Sequence, residues 1–216
     1  MAEIKLYSYW RSSAAYRVRI ALNLKGLDYE MIPVHLVNNG GEQHSAEFVS
    51  VNPNELVPVL VDGDITLNQS LVIMDYLDAQ YPEPSLMPVD AKHKYLVKAL
   101  AQDIAIDIHP INNLRVLQYL SGQLNTTDQQ KGDWYRHWIN TGFHALEQKL
   151  SSSAGLYCFC DSVTLADVCL VPQVYNAERF NVDMSSFPTI SRVTNQLRQH
   201  PAFEKAAPEN QPDANS

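Results

Sequence analysis

The spacing of apolar residues changes once along the chain, and that change dictates a two-part architecture. Up to residue 81, short alternating runs that suit strands are interleaved with runs spaced for helices. Between Pro82 and Pro88 come three prolines in seven residues, which neither a helix nor a strand interior accepts. After Asp90 only helical spacing remains, over 91–121, 128–150, 164–178 and 187–200. The expected organisation is therefore an α/β domain over 1–81, a linker over 82–90, an all-helical domain over 91–207 and a tail over 208–216. The tail has too little apolar content to order itself and is expected to be mobile unless docked.

Within the first part, Ile4 to Tyr9 alternates like a strand. From Ser12 the residues Val18, Ala21, Leu22 and Lys25 follow helical spacing, with Ser12 or Ser13 as N-cap and Gly26 as the stop. Tyr29 to Val34 reads as a second strand, which makes a strand–helix–strand unit with parallel pairing. Residues 35–55 form a loop with a short helix between Gln43 and Val51. Pro58–Val61 and Ile65–Leu67 flank Asp62-Gly63-Asp64 as a hairpin, and Ser70 is expected to cap a helix that runs to Tyr81. A four-stranded mixed sheet covered by helices buries these elements most simply.

Composition excludes several function classes. Sixteen Lys and Arg against 24 Asp and Glu leave a formal charge of -8, and no basic run offers a nucleic-acid footprint. An acidic chain that binds an anion must gather its few arginines locally. No apolar stretch reaches membrane-spanning length, and Glu3 and Lys5 stand where a signal sequence would place apolar residues, so a cytoplasmic location without membrane attachment is expected. Cys158, Cys160 and Cys169 lack metal-ligand spacing, form no Cys-x-x-Cys pair and are odd in number. They read as packing residues of a reducing compartment, and no metal site is expected.

Three features carry chemistry. Ser12-Ser13 opens a helix after a strand, where free N–H groups and a partial positive charge favour an anion such as a thiolate. Capping alone is the other reading of these serines. Val57-Pro58 stands at the mouth of a strand, as a trans edge proline or as a cis turn that offers the Val57 backbone to a peptide. Gln69-Ser70 repeats the hydroxyl and helix start, a setting suited to a carboxylate or again to a simple cap.

Taken together in this order of elements, the three features resemble the glutathione-binding domain of the glutathione transferases. The stretches Tyr7 to Ser13, Arg17 to Gly26, Gln69 to Leu71 and Asp167 to Phe180 resemble the zeta class, the maleylacetoacetate and maleylpyruvate isomerases, and the likeness extends to Gln211-Pro212-Asp213. The resemblance implies a thioredoxin-like domain with a cis proline at position 58, glutathione as cofactor and a homodimer. It implies that Ser12 activates the glutathione thiol with help from Ser13. It further implies that Gln43, Val57, Gln69 and Ser70 contact the tripeptide, with Asn113 contributed by the helical domain. Thr164 and Asp167 match a buried capping box that serves folding. Ala14 follows Ser12-Ser13 where many zeta-class members carry cysteine, so no protein thiol is available there and the glutathione sulfur must act alone.

The implied reaction is cis–trans isomerisation of an activated alkene by reversible thiolate addition, with donors placed where enolate charge develops. Maleyl keto acids are dicarboxylates, which call for cationic anchors; Arg11, Arg115 and Arg179 are the candidates, because an arginine fork binds both carboxylate oxygens. Arg17 and Arg19 read as structural or interface ion pairs, and Tyr7 and Tyr9 as sheet packing. His109 precedes Pro110 in a long helical run. The kink expected there turns His109 toward the cleft for proton handling or charge stabilisation, or leaves it as filler. Two other functions fit the same features: a general transferase or peroxidase acting on electrophiles such as α-halo acids, and a non-catalytic binding protein on the same fold.

Overall fold

A computed structural model describes residues 4–159 and 161–214. Cys160 and the first and last residues of the chain lie outside the described residues.

The first unit holds strands β1 (Lys5–Ser8), β2 (Glu30–Pro33), β3 (Val59–Asp62) and β4 (Ile65–Asn68), with helices α1 (Ser13–Leu24), α2 (Ala46–Val51) and α3 (Ser70–Gln80). The sheet order is β2-β1-β3-β4, with β1 and β2 parallel and the remaining pairs antiparallel. This is the four-stranded mixed sheet expected from the order of elements, in the thioredoxin-like form that the resemblance implies. α1 carries Val18, Ile20, Ala21 and Leu22 without exposure, and burial of each larger side chain contributes about 1.5–3 kcal/mol. At its C-terminal end Lys25 Nζ reaches Asp78 at 2.9 Å and the carbonyls of Tyr81 and Pro84, which ties α1 to the end of α3.

The second unit spans residues 86–199 and holds α4 (Ala91–Gln102), α5 (Leu114–Gly122), α6 (Asp128–Ser153), α7 (Leu165–Arg179) and α8 (Pro188–Arg198). The single helical run expected over 91–121 is instead broken into four segments. A π-helical turn, Asp103–Ile108, follows α4, a 3-10 turn spans Pro110–Asn112, and α5 starts afresh at Leu114. Pro110 accounts for only part of this break. The His109 N–H bonds the Ile104 carbonyl at 3.0 Å, one residue further back than in an α-helix, and Asn113 leaves the helical region at ψ 153° to cap α5. Gly142 on α6 makes room for the π turn, since a Cβ there would stand 2.3 Å from Ile108 Cδ1.

Asp167, fully buried near the start of α7, accepts from the Thr164 N–H, the Thr164 hydroxyl and the Cys158 N–H, each at 2.8 Å. The capping box is thus present, and it also holds the preceding loop. Burial raises the Asp167 carboxyl above the usual range against the pull of these donors, and it raises the Cys158 thiol. Cys158 and Cys169 are buried thiols outside any disulfide among the described residues.

Two boundaries differ from the expected ones. The expected linker is divided: the first unit reaches Ser85, while Leu86 is buried in the second and its carbonyl accepts from the Leu165 N–H at 2.9 Å. The chain from His200 onward returns to the first unit, including residues assigned above to the helical domain and to a free tail. Helix α9 (Pro201–Ala206) buries Ala202, Phe203 and Ala206, and the Asn23 side chain donates to the Ala202 carbonyl at 3.1 Å. The tail is docked as far as Asp213, which is buried along with Gln211. Its anchoring relies on polar side chains meeting backbone, a signal that apolar spacing does not carry.

Candidate active site

Sheet register places the candidate residues of the first unit at one end of the sheet. Tyr7 on β1 pairs with Val59 on β3, and Val59 pairs with Asn68 on β4. The β1–α1 loop with Ser12, the approach to β3 with Val57, and the β4–α3 junction with Gln69-Ser70 therefore emerge together. β2 runs parallel to β1, so the loop after Pro33 that carries Gln43 leaves from the same end. One buried cluster of Tyr9, Val34, Phe48, Val57 and Val59 lies beneath these segments. Tyr7 and Tyr9 belong to this packing: Tyr7 lies against Phe48 at 5.9 Å between centroids, and Tyr9 edges onto His35 at 4.9 Å.

Ser12 is the N-cap of α1, and its Oγ accepts from the Ala15 N–H at 3.3 Å. Capping and thiolate binding do not compete here. The cap uses an acceptor lone pair and leaves the O–H proton to donate. The first turn of α1 contains no acid, and Ser13 is its buried first residue. No acid within the first turn of α1 offsets the electropositive character of this helix start.

Gln69, not Ser70, occupies the N-cap position of α3, with φ 69° and ψ 110° and no capping bond from its side chain. A non-glycine residue held there costs about 1–3 kcal/mol, a strain that clusters at functional positions. The expectation that Ser70 caps the helix is corrected: Ser70 is the first helical residue, buried, and its Oγ accepts from Arg17 Nη1 at 3.2 Å. Gln69 stays exposed.

The bond between Val57 and Pro58 is cis, as the resemblance implies, and Val57 precedes the paired stretch of β3. The fully buried Asn52 steadies this approach by donating to the Leu56 carbonyl at 2.7 Å and accepting from Asn54 and Asn68. Gln43 sits in a 3-10 turn, with Nε2 near the Leu36 carbonyl at 3.4 Å and the His44 ring at 3.0 Å. Its Oε1 is buried without a hydrogen-bond partner among the described residues. A buried amide oxygen in this state costs about 1–3 kcal/mol until a donor reaches it. Gly41 permits this placement: at φ 105° it adopts a backbone that side chains resist, and a Cβ would lie 2.4 Å from the Gln43 amide.

Arg17 and Arg19, expected as structural or interface ion pairs, are both buried, and the acceptors they find include hydroxyls and carbonyls. The signal was present in the sequence, since Val18, Ile20 and Ala21 surround them on a helix apolar nearly all round. Arg11 spreads over the Trp10 ring at 5.1 Å, with Nη2 3.5 Å from the Tyr9 hydroxyl.

The remaining candidates belong to the second unit. Asn113 caps α5 through Oδ1, which accepts from the Arg115 N–H at 3.2 Å, and Arg115 is exposed. Arg179, in the last turn of α7, lies 4.8 Å over the Phe180 ring and donates to Asn176 at 3.4 Å. Phe180 in turn stacks on Tyr135 at 3.5 Å and 6°. Burial raises the Tyr135 phenol and the Arg179 charge opposes that rise, so the hydroxyl stays protonated at neutral pH. His109 ends the π turn, half-buried. Among the described residues no group of His, Cys, Asp and Glu is arranged to hold a metal.

Comparison with known proteins agrees with this geometry. Residues 2–79 match the family described as Glutathione S-transferase, N-terminal domain. The chain is 61% identical to a probable maleylacetoacetate isomerase of Vibrio cholerae, over 99% of this chain and 100% of the relative. It is 48% identical to the maleylacetoacetate isomerase of Mus musculus, over 96% and 94%. A holo maleylpyruvate isomerase, a bacterial zeta-class glutathione transferase, superposes with a TM-score of 0.94 at 44% identity, covering 97% and 99% of the two chains. A maleylacetoacetate isomerase of Anaeromyxobacter dehalogenans with glutathione bound in its active site does so with a TM-score of 0.88 at 40% identity, covering 98% of each. The chain belongs to the maleylacetoacetate isomerase family, the zeta class of the glutathione transferases.

Proposed function

We propose that this chain is a glutathione-dependent cis–trans isomerase that converts maleylacetoacetate or maleylpyruvate to the corresponding fumaryl keto acid. The observation that carries the reading is the start of α1, where the Ser12 hydroxyl keeps its proton for an anion beside a helix turn that contains no acid. The donor set fits the tripeptide: the buried Gln43 Oε1 lacks a donor among the described residues, and the Ser70 hydroxyl and Gln69 stand at a second helix start. Bound glutathione supplies a thiolate that adds reversibly to a conjugated alkene.

The chain's own residues do the rest. Ser12 donates to the sulfur and holds it ionised, with Ser13 beside it. Gln43, the Val57 backbone, Gln69, Ser70 and Asn113 bind and orient the peptide, with Ser70 placed for its terminal carboxylate. Arg11, Arg115 and Arg179 anchor the carboxylates of the dicarboxylate substrate and place positive charge where negative charge accumulates. His109 serves proton handling or charge stabilisation. The working assembly is a homodimer in the cytoplasm. Buried thiols at Cys158 and Cys169, outside any disulfide among the described residues, support the compartment, and the exposed Val72, Tyr95 and Leu96 support an interface. No helix among the described residues is long and apolar enough to cross a membrane.

The deciding test is a spectrophotometric assay with each maleyl keto acid, with and without glutathione. Turnover that requires glutathione is expected. Equal conversion without it, or turnover of chlorodinitrobenzene with none of either keto acid, overturns the reading. Sedimentation of the purified protein tests the dimer.

A further inference from the structure

The loop that joins β1 to α1 carries Arg11, Ser12 and Ser13, and two side chains outside the proposed chemistry hold it. Arg19, fully buried on α1, reaches back along the chain. Its Nη1 donates to the Ser8 hydroxyl at 3.1 Å and to the Tyr9 carbonyl at 3.3 Å, and its Nη2 donates to the Trp10 carbonyl at 2.9 Å. Its Nε donates to the Ala206 carbonyl at 3.1 Å, so one guanidinium binds the loop and the C-terminal segment together. Asp213 closes the loop from the other direction: its Oδ2 accepts the Trp10 N–H at 2.9 Å across 203 positions of sequence.

Asp213 does not reach Trp10 by chance placement on an exposed tail. It is 7% exposed, and the turn before it is pinned by Gln211, whose Nε2 donates to the Lys205 and Ala207 carbonyls at 2.9 Å each. Both peptide groups flanking Trp10 Cα are thereby held by charged side chains, which make shorter and stronger hydrogen bonds than neutral ones. The Ser12 N–H in turn bonds the Tyr9 carbonyl at 3.0 Å, an oxygen that Arg19 also uses. A shift of Trp10 therefore passes directly to Ser12.

We propose that Asp213 and Arg19 are positioning residues, and that the C-terminal segment is a clamp that sets the Ser12 hydroxyl for the thiol. This rests on the reading of Ser12 as the thiolate donor. Geometry is what such a clamp protects, because a displacement of about 1 Å in a reacting group costs up to about a hundredfold in rate.

The test uses the full-length chain with D213A, D213N and, as a control, N23A. Asn23 ties the same segment to α1 through the Ala202 carbonyl without touching the loop. Hydrogen exchange over residues 9–16 is measured without ligand, and the titration of the bound glutathione thiol and kcat/KM for glutathione are measured with it. D213A is expected to speed exchange over residues 9–16, raise the thiol pKa and lower kcat/KM about tenfold. D213N keeps an acceptor and is expected to recover most of all three. N23A is expected to lower the unfolding midpoint and leave the thiol titration in place. Wild-type exchange and titration in D213A overturn the clamp, as does an N23A variant whose titration moves as far as that of D213A. A wild-type protein that needs no glutathione removes the Ser12 reading instead, and the exchange arm still decides whether the loop is held.

Discussion

Replacing Ser12 with alanine separates two things that its hydroxyl does. As a cap it accepts one long hydrogen bond, 3.3 Å from the Ala15 N–H, so its loss costs about 1 kcal/mol at most. For a chain of this size that lowers the melting temperature by about 2–4 °C, and the fold survives. As a donor to a thiolate it makes a charge-assisted hydrogen bond worth about 1.5–3 kcal/mol. At about 1.4 kcal/mol per unit, its removal raises the bound thiol by about one to two pKa units. The sign is clear, because loss of a donor to the charged form favours the protonated one. Near neutral pH the thiolate fraction, and turnover with it, then falls at least about tenfold. The assay is the ultraviolet absorbance of the bound thiolate against pH, read beside isomerase turnover and far-ultraviolet circular dichroism. S12T keeps a hydroxyl and is expected to retain a lowered thiol pKa. A folded S12A variant with unchanged titration and unchanged turnover would refute the role given to this residue.

Removing Arg179 is expected to raise KM for the dicarboxylate more than KM for glutathione, and steady-state kinetics with each reactant varied will show whether the two move apart. D167A leaves three buried donors without their acceptor, two on Thr164 and one on Cys158. The expected loss is about 3 kcal/mol or more in urea unfolding, and a loss below about 1 kcal/mol counts against the capping box as a folding element. G142A drives a methyl to 2.3 Å from Ile108 Cδ1, which forces the π turn and α6 apart. A loss of about 1–3 kcal/mol is expected by calorimetry, and an unchanged transition means the turn repacks freely.

Local contacts made much of the first unit legible. The strand–helix–strand start, the hairpin at Gly63-Asp64 and the helix after Gln69 rest on caps, turns and spacing within a few residues. So does Ser12 as a cap, which the structure reproduces with the Ala15 N–H. What escaped depends on distant partners. Arg17 was legible as buried from its apolar neighbours, but its reach to Ser70 depends on how α1 meets α3. The split of the 91–121 run escaped because Ile104 and Ile108 keep helical spacing while the hydrogen-bond ladder beneath them shifts by one residue. The docking of Gln211 and Asp213 escaped because polar residues near a chain end ordinarily signal solvent. Gln43 was named through resemblance alone, and its unpaired oxygen is visible only in three dimensions.

The first unit is assembled from two stretches, residues up to 85 and residues from 200 onward, with the whole helical unit encoded between them. On the ribosome, α1 therefore emerges long before α9 exists to cover it. The helical unit is continuous and completes without waiting for later sequence, whereas the sheet-bearing unit closes only when the residues from 200 onward arrive. A stalled or prematurely terminated chain leaves a nascent product with the apolar flank of α1 bare, a surface for chaperones and proteases to recognise.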